Sequence, residues 1–213
     1  MFDGLLFDLD GTLWDSVDAI CASWNQVLAR RLPEYAGAVT RQKLLPCMGM
    51  LLPDIMARLL PREGREKIAP LLDELMEHEN RYVAVHGGRL YPRVPETLEL
   101  LARRYSLFIV SNCQAGYIEA FFQAHGLGKY FTDYENPGRT GLDKAGNIAL
   151  VARRNGLKRP LYIGDAQLDC DSAARAGVPF LYAAYGFGQV DAPVPAVHAF
   201  ADIPAAVSRL SPP

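Results

Sequence analysis

Four short apolar runs constrain this chain more than any other feature. "LLF" (5–7), "LFIV" (107–110), "LYIG" (161–164) and "FLYA" (180–183) are nearly unbroken, without the one-in-two alternation of a half-exposed strand. Strands apolar on both faces belong to parallel sheets covered by helices on both sides. From residue 88 onward these runs alternate with helical patterns: "PETLELLARR", "QAGYIEAFFQAH", "DKAGNIALVARRN", "LDCDSAARA" and a last helix near 202–210. Gly126, Gly156 and Gly177 follow three of the helices as C′ glycines. "YFTDYE" reads as a weak strand. The spacing therefore predicts an α/β fold with a doubly wound parallel sheet.

The first strand, predicted over 3–8, stands apart from the others. A helix over "VDAICASWNQVLARRL" follows it, capped by Asp15 or Ser16 and stopped by Pro33. A short helix over "RQKLL" comes next, then helices over 53–60 and 63–85. The last carries Ile68, Leu72, Leu75 and Met76 on one face and is broken or started at Pro70. No strand candidate lies in this stretch, and "HGGRLYP" reads as the linker that closes it. The expected organisation is a Rossmann-like core of residues 1–15 and 88–213 with an α-helical insertion at 16–87. The "SPP" tail is expected to fray.

Composition narrows the partners. The chain has 213 residues, half of them hydrophobic, and a formal net charge of −2, so no basic surplus points to nucleic acid. No apolar run approaches the roughly 18–20 residues of a membrane span. Cys21, Cys47, Cys113 and Cys170 form no CxxC pair and fit a reducing cytosol. The first residues enter a strand directly, without a signal-like segment, so a cytoplasmic protein is expected. No oligomeric state follows from these features.

Ligands of open parallel sheets bind beyond the carboxyl ends of the strands. Those ends here read "FDLDGT", "IVSN" and "IGDAQLD", and a helix opens near "GLDK". If the strand runs that far, Asp8 and Asp10 share a face, with Gly11 allowing close approach and Thr12 adding a hydroxyl. Two such carboxylates repel unless a cation lies between them, and Mg²⁺ suits oxygen donors. A plain turn after the strand is the other reading of "DG". Ser111 and Asn112 read either as an N-cap or as an anion site at a helix starting near Gln114. Lys144 is either a solvated lysine or one leaning toward an anion, since the helix dipole disfavours it at a first turn. Asp165 reads as an N-cap or a metal ligand. Asp169 lies one turn on, and Asp171 faces solvent and pairs with Arg175. The four histidines read as structural or solvated, His125 suiting a helix C-terminus, and Cys113 as an ordinary thiol.

In order and spacing, "DLDGT", "VSN", Lys144 and "GDAQLDCDSA" resemble the four motifs of the haloacid dehalogenase-like hydrolases, and the helical insertion resembles their helical cap. The similarity points to phosphoglycolate phosphatase-like members and spans nearly the whole chain. It implies a Mg²⁺-dependent phosphatase acting on a small phosphorylated metabolite. Asp8 is then the nucleophile and Asp10 the acid and base. Asp8, the Asp10 carbonyl and Asp165 hold the metal, and Asp169 contacts or supports it. Gly11, Thr12, Ser111, Asn112 and Lys144 bind the phosphoryl group. Arg41 and Lys43 become candidate substrate contacts, Gly49 a cap loop, Trp14 and Trp24 packing, and "LWDS" the exit into the cap. Two departures stand out: Lys144 precedes Ala145 rather than a proline, and Arg93 occupies a place where glycine is common. A phosphomutase uses the same residues. A phospho-acceptor signalling module shares the aspartate, hydroxyl and lysine but lacks a second aspartate and a cap. A binding protein on an inactive scaffold is disfavoured by the complete motif set.

Overall fold

The structure is a computed structural model that describes residues 1–60 and 65–210, apart from the side chains of 65–68. Strand β1 (Gly4–Phe7) and the two-residue β2 (Trp14–Asp15) open the chain. The insertion follows as α1 (Val17–Arg31), α2 (Arg41–Leu44), α3 (Leu52–Leu59) and α4 (Arg65–His86). β3 (Arg89–Leu90) leads back through α5 (Val94–Ala102) to β4 (Ser106–Val110), α6 (Tyr117–His125) and β5 (Phe131–Glu135). Then come α7 (Pro137–Thr140), α8 (Lys144–Arg154), β6 (Pro160–Gly164) and α9 (Gln167–Arg175). β7 (Phe180–Ala183), β8 (Ala196–Val197) and α10 (Ile203–Leu210) complete it.

The main sheet runs β5-β4-β1-β6-β7-β8, and every neighbouring pair is parallel. The apolar runs owe their lack of alternation to two cores. Leu5 and Phe7 pack into one, while Leu6 joins Phe108, Val110 and Tyr162 in the other. All three residues of "LLF" are fully buried, each contributing about 1.5–3 kcal/mol. From β1 the chain winds outward to β4 and β5, then returns to β6 on the opposite side. The carboxyl end of β1 is therefore the switch point, where neighbouring connections diverge and leave a crevice.

Several expectations change in detail. β1 ends at Phe7, so Asp8 and Asp10 lie beyond it and do not share a strand face. α6 begins at Tyr117 rather than Gln114, because Gly116 turns the chain with a φ of 90° just before it. Ser111 and Asn112 thus sit on a loop, not at a helix N-terminus. α4 runs through Pro70 unbroken, forgoing the one intrahelical bond that the proline's missing N–H would have made. The start of the helix predicted over 63–85 and the "SPP" tail lie outside the described residues. Arg175 pairs with Asp143 at 2.6 Å, and Asp171 instead accepts from Gln167.

Three short strands, β2, β3 and the sheet-edge β8, were not expected. β2 and β3 pair antiparallel where the chain leaves and re-enters the core, pinning both crossings together. Asp15 on β2 is buried and takes both Arg41 guanidinium nitrogens, at 3.0 and 2.5 Å, with Arg89 at 3.4 Å. Burial pushes the Asp15 carboxyl up, but Arg41 and Arg89 outweigh it and hold the carboxyl below the usual range. Arg41 is therefore paired at this junction rather than free. Lys43 is turned away from the crevice, donating to the Ala38 carbonyl at the surface. Arg93 adopts a φ of 64°, alone among the described non-glycine residues. A glycine would take that conformation without the roughly 1–2 kcal/mol that a Cβ adds there.

Candidate active site

The buried ends of β1 and β6 bring three carboxylates together. Asp8, Asp165 and Asp169 each offer an oxygen within 4.8 Å of the others, a donor set that could hold a metal ion. One cation lies among them. Lys144, 3% exposed at the start of α8, donates to Asp8 Oδ1 at 2.8 Å and to Asp169 Oδ1. Burial alone would lower its pKa, but Asp169 and Asp8 raise it well above the ordinary lysine value. Its ammonium leans toward anions, as its place at a helix N-terminus favours. The Ala145 that follows leaves that placement intact.

The carboxylates have different duties. Asp169 Oδ2 accepts from the Asp165 and Ala166 backbone N–H groups, both at 3.0 Å, so Asp169 caps α9 while holding Lys144. The cap residue is Ala166, not Asp165. Asp165 Oδ2 accepts from Phe187 and Gly188 N–H at 2.8 and 3.0 Å. Among the described residues this leaves Asp8 Oδ2 and Asp165 Oδ1 without a hydrogen bond, facing a cavity of about 130 Å³. Burial, eased by Lys144 and reinforced by Asp169, pushes the Asp8 carboxyl up to about 7. Burial, Asp169 and Asp8 push Asp165 up to about 8. A lone lysine does not neutralise this cluster.

Close approach makes two glycines indispensable. A Cβ on Gly11, whose φ is 84°, would fall 2.3 Å from Asp165 Oδ2. A Cβ on Gly186 would fall 2.3 Å from the Gly11 carbonyl oxygen. "YGFG" after β7 thus wraps Asp165, a contribution the sequence reading missed although two glycines beyond a strand end were its signal.

Asp10 turns the other way. Its Oδ1 accepts from Trp14 Nε1 at 2.9 Å, from Tyr117 Oη at 3.0 Å, and from Ser16 Oγ. Burial raises its pKa, and the Ser16, Tyr117 and Trp14 bonds restrain the rise. Trp14 and Ser16 are therefore not merely the exit into the insertion; they orient a site carboxyl. Tyr117, from α6, was not foreseen. Its distance along the chain gives no local clue.

Asp10 also lines a second cavity, of about 250 Å³, that extends among the inserted helices. Met48 and Gly49 border both cavities, and Asn112 Nδ2 donates to the Gly49 carbonyl at 3.2 Å. Gly49, with a φ of 84°, makes the turn that brings this loop over the sheet. Ser111 is buried and is not part of either cavity's wall, whereas Asn112 lies in the larger cavity's wall. Thr12 Oγ1 is buried without a hydrogen bond. Burial, with Asp10 and Asp8, holds the Cys113 thiol well above its ordinary pKa, the state of an unreactive thiol. His125 packs on Trp14 and Phe121, and burial lowers its pKa, so it is neutral rather than a charged helix end.

A doubly wound sheet with this cluster at its switch point is matched by a family model. The model for haloacid dehalogenase-like hydrolases covers residues 5–183. The chain belongs to that family and is an enzyme of its phosphatase class. It is 32% identical to a phosphoglycolate phosphatase of Rhodobacter capsulatus, covering 88% of this chain and 86% of the relative. It is 29% identical to the phosphoglycolate phosphatase of Escherichia coli K12, covering 89% and 84%. A solved structure from Haemophilus somnus, described as a predicted phosphoglycolate phosphatase, shares the fold with a TM-score of 0.78 at 23% identity, covering 97% of this chain and 98% of that one.

Proposed function

We propose that this enzyme is a Mg²⁺-dependent phosphatase that cleaves a small phosphorylated metabolite in the cytoplasm through a phosphorylated Asp8. The helices of residues 16–87 act as a cap over the site. One observation carries the reading: Asp10 borders both cavities, one lined by Asp8, Lys144 and Asp165, the other reaching into the cap.

Asp8 Oδ2, clear of Lys144, attacks phosphorus as the bond from phosphorus to the alcohol oxygen breaks. Asp10, its Oδ1 held by three donors, gives the proton from Oδ2 to that departing oxygen. The freed alcohol leaves. Water then attacks the phosphorus on Asp8 as its bond to Asp8 Oδ2 breaks, Asp10 takes the water's proton, and inorganic phosphate departs, leaving the Asp8 carboxylate free. Lys144 offsets the charge gathering on the transferred oxygens, and Asp169 keeps it in place. Ser111, Asn112, Gly11 and Thr12 complete the phosphoryl pocket in this reading. Mg²⁺ fits the donors: the carboxylates of Asp8 and Asp165 are hard oxygens in an uncompensated negative cluster, and in this reading the Asp10 carbonyl adds another. When bound, it supplies charge neutralisation at phosphorus.

Phosphate release from a panel of monoesters, with Mg²⁺ and with EDTA, tests the reading. The curated relatives make 2-phosphoglycolate one ester to include. Inorganic phosphate with Mg²⁺ and none with EDTA is expected; an isomerised ester would indicate a phosphomutase.

The metal-free protein has its own signature. Asp8 and Asp165 keep protons up to about 7 and about 8 when folded, against 3.8 for the free groups. Between those values the folded state binds more protons than the unfolded one, so stability falls as pH rises from about 4 to about 8. Mg²⁺ is expected to raise the melting temperature far more at pH 8 than at pH 5. An equal rise at both would place the ion elsewhere.

A further inference from the structure

The larger cavity has a composition that speaks to what the phosphoryl group is attached to. Its wall is largely apolar, with Ile20, Trp24, Met50, Ile55 and Met76 among its members, and among the described residues no lysine, arginine or histidine contributes to it. One ionisable group of the cap faces into it: Glu79. On α4, Leu71, Leu75, Glu79 and Val83 follow one another at four-residue intervals, and all four are buried. Glu79 thus replaces an apolar residue on the inward face. It is 3% exposed, its Oε2 accepts from Trp24 Nε1 at 2.5 Å, and Gln114 lies beside it. Among the described residues no basic side chain pairs with it.

We infer that this cavity receives an uncharged alcohol with a short apolar stretch and a hydroxyl that bonds to Glu79, and that Glu79 is the residue that selects it. The inference rests on the phosphatase reading and names the substrate class for that site. A buried carboxyl without a cation is kept only where hydrogen bonds satisfy it, and a substrate hydroxyl supplies one more. Burial pushes Glu79 up to about 8, so near neutrality it carries a proton and meets a hydroxyl as donor or acceptor. A carboxylate on the alcohol portion, as in 2-phosphoglycolate, would enter with no cation to receive it among the described residues, beside Asp10. Burying an unpaired charge is costly, and a site built for hydrogen bonds rejects a mismatched group strongly. 2-Phosphoglycolate is therefore expected to be a poor substrate of this site.

The test compares kcat/KM at pH 7 with saturating Mg²⁺ for 4-hydroxybutyl phosphate, n-butyl phosphate, 2-phosphoglycolate and phosphoethanolamine. The hydroxybutyl ester is expected to exceed 2-phosphoglycolate by about 100-fold or more, and n-butyl phosphate and phosphoethanolamine by about tenfold. Glu79→Leu, which leaves no group to bond the substrate hydroxyl, should erase the hydroxybutyl ester's roughly tenfold advantage over n-butyl phosphate. Preference of the wild-type enzyme for 2-phosphoglycolate or for phosphoethanolamine would overturn the inference while leaving the phosphatase reading intact. So would an advantage of the hydroxybutyl ester over n-butyl phosphate that is unchanged in a folded Glu79→Leu protein. Absence of phosphate release from every ester, p-nitrophenyl phosphate included, would instead overturn the phosphatase reading, and the inference with it. The wild-type comparison decides the substrate class even if the variant does not fold.

Discussion

Asp8→Asn is expected to lower phosphate release by about 10⁴-fold or more, with little change in fold. An amide is no nucleophile at phosphorus, and loss of the attacking group costs factors of this order in enzymes that work covalently. The asparagine oxygen still accepts from Lys144, which donates to Asp8 at 2.8 Å in the native chain. Removing one of three clustered carboxylates also relieves repulsion, since Asp8 is among the groups that push Asp165 up. The melting temperature of the metal-free variant at pH 8 should therefore not fall below that of the native protein. Calorimetry beside a phosphate-release assay separates the two effects. A variant that keeps more than a hundredth of the native rate would remove Asp8 from the chemistry.

Lys144→Met should damage both activity and stability. The ammonium is fully enclosed and holds Asp8 and Asp169 at once. Without it two buried carboxylates lose their partner, a loss of about 3–5 kcal/mol when one side of a buried ion pair is removed. That is a large share of the roughly 5–15 kcal/mol that holds an ordinary domain together. Asp169 also caps α9 through Asp165 and Ala166 N–H, so a displaced Asp169 loosens the loop that carries Asp165. The rate should drop by a further 10²–10³-fold, about the effect of losing one preorganised charge-stabilising group. Urea denaturation at pH 8 reads the stability, and lowering the pH toward 5 should return part of it as the carboxylates take up protons. A variant as stable as the native protein at pH 8 would contradict the arrangement.

The strands were legible because burial on both faces writes itself as unbroken apolar runs, and Leu5, Leu6 and Phe7 divide between two cores as such a run requires. The four stretches of polar residues beyond the strand ends were legible because a parallel sheet gathers its carboxyl ends on one side. Neighbours of Asp10 were harder to read. Trp14 and Ser16 look like a helix approach, and Tyr117 lies 107 residues from Asp10, so nothing local ties them to it. Arg41 looked like a free cation because Asp15 had been assigned to a helix cap. Its bidentate contact appears only once β2 and β3 close the junction. Glu79 was hidden because the apolar stripe had been drawn over Ile68, Leu72, Leu75 and Met76, of which only Leu75 lies on the line Leu71, Leu75, Glu79 and Val83. With that line drawn, an acid on the inward face stands out.

The division of labour between the aspartates is tested most directly by trapping the enzyme in mid-reaction. Acid quenching during turnover of p-nitrophenyl phosphate with Mg²⁺, followed by peptide mapping by mass spectrometry, reads where the phosphoryl group resides. One phosphoryl group on Asp8 is expected, absent from Asp8→Asn. A phosphoryl group on another residue, or turnover at the native rate with none trapped on the protein, would contradict the account.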